Sequence, residues 1–236
     1  LSLISLPDFD PNQREKIVDR NYINRITKGV YELGSVFKTF TLAAALESNI
    51  IETDTKFLNL EKSLNCGKNV IREYDNKIPK DLTAEEILIR SGNIGSVRIG
   101  QKLGIEKFKL FLTKINIINE IKFDVEEVGI PIPFKWGKCK LATTSFGHGI
   151  TTTPLQLAKG YAIITNGGFD IEPTIIKTKK EKIIKFKKRL IRKDVSEKIN
   201  PILRKIVTTK EGTASLANIS GYEVGGKTGT AEKIIS

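Results

Sequence analysis

The chain reads as a single domain that mixes helices with strands. Three observations predict this. Its 236 residues, 39% of them hydrophobic, suffice for one sizeable core. Apolar residues at helical spacing fill the middle of the sequence, and residues suited to strands stand at its two ends, over 1–6 and 224–231.

Each element follows from its residues. Residues 1–6 predict a short strand. The run 33–47 contains Val36-Phe37-Lys38-Thr39-Phe40-Thr41-Leu42-Ala43-Ala44-Ala45-Leu46-Glu47. It has almost no polar face, so it predicts a helix buried in the core. Segment 83–90 predicts an amphipathic helix with Glu85 and Glu86 in its first turn, where carboxylates suit the dipole. A second helix over 94–103 follows the break at Ser91-Gly92-Asn93, and a third covers 105–116. Prolines at 131 and 133 mark a loop over 129–133. A long helix over 153–166 ends at Gly167-Gly168, and 194–207 predicts another that Pro201 interrupts. Residues 224–231 close the chain as a strand whose glycines permit close approach of another backbone or a ligand. Ser63-Leu64-Asn65, in a polar stretch ending at Cys66-Gly67, reads as a loop.

Composition excludes several classes. No run of about 20 apolar residues is present, so no membrane span is expected. No signal peptide is visible. The chain has no Met and starts with Leu, so it is expected to be a piece of a longer product. The net charge of +12 is concentrated in the lysine-rich stretch 177–193. Lysines alternate with apolar residues there, as in a solvated hairpin. A basic patch also suits nucleic acid or anionic lipid, but no nucleic-acid motif accompanies it, and none is expected as a partner. Cys66 and Cys139 are too few and too far apart for a zinc motif and read as unpaired thiols, although an oxidising compartment permits pairing. His148 is the only histidine and lies between two glycines, which suits packing better than catalysis. No metal or cofactor is expected.

Three short motifs carry chemistry when taken together. Ser35-Val36-Phe37-Lys38 places a hydroxyl at the start of the buried helix and a lysine one turn on, on the same face. Free N–H groups and the dipole at that end favour an oxyanion. Alone, the pair equally fits a capping serine and a lysine reaching for solvent. Ser91-Gly92-Asn93 sits between two helices, where side chains can be aimed into a cleft, although alone it fits a plain turn better. Lys227-Thr228-Gly229-Thr230 offers a cation and hydroxyls to a carboxylate, and alone it equally fits a glycine-rich edge strand. The set supplies the equipment for acyl transfer through a serine ester.

In this order the motifs resemble those of the penicillin-binding protein and serine β-lactamase superfamily. Further segments are similar to the class B penicillin-binding proteins: Ser5-Leu6-Pro7-Asp8-Phe9-Asp10-Pro11-Asn12, and Asn24-Arg25 leading to Tyr31-Glu32-Leu33-Gly34-Ser35. Ser145-Phe146-Gly147-His148-Gly149-Ile150 and Thr153-Pro154-Leu155-Gln156-Leu157-Ala158 resemble the division-type branch, the septal transpeptidases. The resemblance spans nearly the whole chain except the lysine-rich stretch.

The resemblance implies an α+β fold, an antiparallel sheet flanked by helices with an all-helical half. It implies one transpeptidase domain over 1–236, truncated at both ends, with its sheet incomplete. It also implies roles. Ser35 is the nucleophile and Lys38 the base. Ser91 relays a proton to the leaving amine, and Asn93 holds the substrate amide. Lys227, Thr228 and Thr230 bind the terminal carboxylate beside Gly229, and backbone N–H groups of Ser35 and Thr230 form the oxyanion hole. The expected substrates are peptidoglycan stem peptides, with β-lactams as trapping analogues and other division proteins as partners. The expected location is the periplasmic face of the inner membrane, held by an N-terminal anchor absent from this chain. Two alternatives stay open: a serine β-lactamase or β-lactam-sensing domain, and an inactive fragment that only binds division proteins.

Overall fold

The computed structural model describes residues 3–10, 12–13, 22–67, 69–124, 128–177 and 188–230. Helix α1, Phe37–Glu47, forms the axis of the core, with every residue from Phe37 to Leu46 buried. A 3-10 turn, Gly34–Val36, precedes it, because Gly34 adopts φ 62° and breaks the predicted helix there. Around α1 pack α3, Asn93–Leu103, α4, Ile105–Lys114, and α7, Lys193–Thr208. Burying side chains such as Phe37, Phe40, Ile94, Phe108 and Leu112 contributes about 1.5–3 kcal/mol each. That sum offsets the cost of holding Lys38, 1% exposed, in the same core.

The remaining helices start where their sequences place caps. Thr83 accepts from Glu86 N and Glu86 answers on Thr83 N, a reciprocal cap that opens α2, Ala84–Ile89. Thr153 and Gln156 do the same for α6, Pro154–Thr165, with Pro154 in the first turn. Helix α5 covers Lys138–Thr144. Pro201 lies inside α7 without ending it. The buried face made by Val195, Ile199, Ile202, Leu203 and Ile206 outweighs the lost hydrogen bond, a cost of about 3 kcal/mol.

The described strands form two small antiparallel pairs. β1, Lys56–Phe57, pairs with β4, Leu82–Thr83. β2, Ser63–Cys66, pairs with β3, Asn69–Arg72, in the register Ser63 to Arg72 and Cys66 to Asn69. The second pair corrects the reading of 63–67 as a loop. Leu64 and Ile71 face the core, while Ser63, Asn65, Val70 and Arg72 are exposed.

Other expectations change as well. Cys66 and Cys139 are joined in a disulfide, with Cα atoms 5.4 Å apart, where unpaired thiols were expected. The hairpin end carries Cys66 onto α5, a contact between residues 73 apart that no local pattern announces. The strand predicted over 224–231 is not formed over 224–230; Ala231 lies outside the described residues. This segment is tied to α7 instead: Gly226 N donates to Leu203 O at 3.1 Å, and Arg204 Nη1 donates to Val224 O at 2.7 Å. Residues 3–6 form no strand either. Of the lysine-rich stretch, 178–187 lie outside the described residues, and its flank pairs Phe169 with Arg189 in an antiparallel bridge.

Candidate active site

Four elements meet at the N-terminal end of α1. The first is the turn carrying Ser35. Gly147, in the loop after α5, has φ 89°, and a Cβ there would stand 1.9 Å from Gly34 O. Only glycine fits, so this loop closes directly on the turn. On another side, Tyr161 of α6 donates its hydroxyl to Val36 O at 2.8 Å and lies 2.9 Å from Thr39 Oγ1.

The second element is the junction of α2 and α3. Ser91 N donates to Leu88 O and Gly92 N to Ile87 O, the paired bonds that end a helix with a left-handed residue. Ser91 occupies that left-handed position, φ 57°, where glycine is usual. A side chain there costs about 1–2 kcal/mol. In return, Ser91 is 4% exposed and its hydroxyl points at the α1 lysine.

Lys38 Nζ meets Ser91 O at 2.5 Å, Asn93 Oδ1 at 2.7 Å and Ser91 Oγ at 3.1 Å. A Ser35–Lys38 hydrogen bond, which the roles of nucleophile and base would call for, is not among these contacts. Ser91 and Asn93 reach the buried amine from the facing helix junction and occupy it. Ser35 itself is half-buried, one turn before Lys38.

The third element is the segment 227–230. Lys227 Nζ donates to the same Ser91 Oγ at 2.8 Å, across 136 residues of sequence, and to Thr228 O at 3.1 Å. Thr228 Oγ1 shares a hydrogen bond with Thr213 Oγ1 at 2.8 Å. A Cβ on Gly229 would lie 2.9 Å from Val36 Cγ1 and 3.0 Å from Leu33 O, so this segment crosses close against the Ser35 turn. Thr230 is exposed beyond it.

The fourth element went unnoticed in the sequence. It is Arg72-Glu73-Tyr74, where β3 runs out. Asn93 Nδ2 donates to Arg72 O at 2.8 Å, Glu73 accepts from Asn93 N and Ile94 N, both at 2.8 Å, and Tyr74 donates its hydroxyl to Arg90 O at 2.7 Å. The Tyr74 ring lies 6.0 Å from Lys38 Nζ. A carboxylate 20 residues before Asn93 in a polar stretch has no spacing signal; only the hairpin brings it there.

The electrostatics favour a neutral amine. Burial pushes Lys38 well below the usual lysine range, the Lys227 cation pushes it further, and Glu73 acts in the opposite sense. Burial lowers Lys227 to about 8. Ser63 is exposed on the hairpin, and His148 pairs with Glu32 at 3.3 Å beside the Phe146 ring; neither joins the cluster.

The family model described as the penicillin binding protein transpeptidase domain matches residues 1–235. The chain is 30% identical to the probable peptidoglycan D,D-transpeptidase FtsI of Caulobacter vibrioides, over 99% of this chain and 39% of that protein. It is 32% identical to stage V sporulation protein D of Bacillus subtilis, over 99% of this chain and 38% of that protein. The chain thus spans about two fifths of the length of these curated relatives. Among solved structures, the apo TP domain of Burkholderia pseudomallei penicillin-binding protein 3 superposes with a TM-score of 0.82 at 26% identity, covering 90% of this chain and 64% of that one. A Burkholderia ambifaria structure titled as a peptidoglycan glycosyltransferase gives the same TM-score at 27% identity, covering 90% of this chain and 67% of that one. The α+β class is thereby shown.

Proposed function

Since this chain belongs to the penicillin binding protein transpeptidase domain family, we propose that it is the catalytic part of a peptidoglycan D,D-transpeptidase acting through a serine acyl-enzyme. One observation carries the reading: Lys38, Ser91, Asn93 and Lys227, drawn from three distant segments, form one hydrogen-bonded cluster beside the Ser35 turn. A neutral Lys38 has two N–H groups and a lone pair. The two shorter contacts, to Ser91 O and Asn93 Oδ1, match the N–H groups, and the lone pair then faces the Ser91 hydroxyl at 3.1 Å, a contact that gives way when Ser35 passes its proton.

The reaction follows from these parts. Ser35 Oγ attacks the carbonyl between two D-alanines of a stem peptide while its proton passes to Lys38 Nζ. The tetrahedral oxyanion faces backbone N–H groups of Ser35 and Thr230. The C–N bond breaks, and the leaving amine takes a proton through Ser91, while Asn93 holds the substrate amide. Lys227, Thr228 and Thr230 hold the terminal carboxylate, and Gly229 lets the peptide strand lie close. An amine of a neighbouring stem peptide then takes the acyl group and regenerates Ser35. A β-lactam presents a strained amide to the same serine.

The disulfide supports a location for this domain in an oxidising compartment, on the periplasmic side of the inner membrane. Division proteins are the proposed partners, by the same family relationship.

The test is labelling with a fluorescent penicillin. A stable ester on the wild-type chain, abolished by Ser35→Ala, is expected. Rapid release of hydrolysed label would assign a β-lactamase instead, and absence of label would assign a silent binding module.

A further inference from the structure

We propose that Glu73 is a positioning residue for the reaction, the clamp that sets Asn93 and through it Lys38. This rests on the acyl-transfer reading above. The Glu73 carboxylate is forked across the first two amides of α3: Oε2 accepts from Asn93 N and Oε1 from Ile94 N, both at 2.8 Å. Both oxygens are thus used on the helix end that carries the second motif, where a negative charge suits the free N–H groups. The adjacent carbonyl, Arg72 O, takes the Asn93 side-chain amide at 2.8 Å. That contact fixes which way the Asn93 amide faces. Its Nδ2 points to the hairpin, so its Oδ1 points to Lys38 Nζ at 2.7 Å. One two-residue segment therefore holds both the backbone and the side chain of Asn93.

The hairpin that delivers Glu73 is anchored at its other end. Cys66, paired with Asn69 beside the turn, is bonded to Cys139 on α5. The clamp is thus tied at both ends to helices of the core. The clamp also bears a charge close to the base. The titratable and charged groups facing Lys38 are Lys227 from the third motif, Glu73, and the Tyr74 ring. Glu73 favours the protonated amine among them, so its removal makes Lys38 easier to deprotonate.

The test compares wild type, Glu73→Gln, Glu73→Asp and Ser35→Ala in the full chain, by fluorescent-penicillin acylation rate across pH and by thermal melting. Glu73→Gln keeps the size but sets a carboxamide NH2, a donor, against one of the two backbone N–H donors. Acylation is expected to slow on the order of 10- to 100-fold, as for displacement of a catalytic group by about 1 Å. Its acidic limb should move to lower pH, a change that loss of a purely structural cap would not produce. Glu73→Asp should recover most of the rate. Acylation by a folded Glu73→Gln within about threefold of wild type, or an unmoved acidic limb, would overturn the proposal.

Failure of the underlying reading is separate: wild type takes no label, or Ser35→Ala keeps it. In that event the amide resonances of Asn93 and Ile94 decide. Signals that shift with Glu73→Gln keep the clamp, and signals indifferent to it remove the clamp.

Discussion

The two ends of α1 are built to opposite purposes. At the C-terminal end every demand is met. Arg192 donates to Leu46 O at 3.1 Å, Glu47 O at 2.9 Å and Asn49 Oδ1 at 2.6 Å, and its guanidinium is held by Asp194 at 2.9 and 3.0 Å. A cation at exposed helix carbonyls complements the dipole. Lys114 pairs with Glu47 at 3.1 Å. At the N-terminal end two lysines converge on one hydroxyl, a serine is held in a left-handed conformation, and burial works against both cations. One helix thus concentrates its electrostatic debt at the end that carries the proposed site and secures itself at the other. Strain at a site persists only where the surroundings over-determine it.

The largest way to break this contrast is at Lys38. Lys38→Met removes the proposed base and fills the same space with an apolar chain. Acylation should fall about 10²–10⁴-fold. The melting temperature should hold or rise, because a buried amine is no longer desolvated. Loss of folding instead would mean that Lys38 is structural.

Arg192→Ala should behave in reverse. Loss of its charged hydrogen bonds at the other end should cost about 2 kcal/mol, discounted for partial exposure. Chemical denaturation reads that loss. Acylation by the folded fraction should stay at wild-type rate, and a large drop would show that the two ends are coupled.

The smallest effect sharpens the comparison. Ser91→Gly and Ser91→Ala both delete the hydroxyl, but only glycine relieves the left-handed backbone. The glycine variant should be the more stable of the two by about 1 kcal/mol. Equal stabilities would remove strain from the account.

Legibility in the sequence divided along similar lines. Helices α1, α3 and α6 were readable because apolar spacing and cap residues are local. Ser35, Lys38, Ser91 and Lys227 were readable as motifs. Their convergence followed from the motif set, and Lys38, Ser91 and Lys227 do meet; what the motifs did not give is that Lys38 is held by Ser91 and Asn93 rather than by Ser35. The Cys66–Cys139 bond and the Glu73 fork depend on a hairpin whose residues looked like a polar loop. The 224–231 segment has the composition of a strand, but pairing belongs to a partner and not to a sequence. Between Val224 and Thr230, hydrogen bonds run to α7, Ser91 and Thr213.

Gly147 carries a consequence for how this chain tolerates change. Any other residue would put a carbon 1.9 Å from Gly34 O, at a φ of 89° that side chains rarely adopt. Every substitution there pushes on the turn that holds the proposed nucleophile. A side chain at 147 would therefore displace Gly34 and, through the 3-10 turn, the entry into α1, so this position transmits any change directly to the start of the core helix.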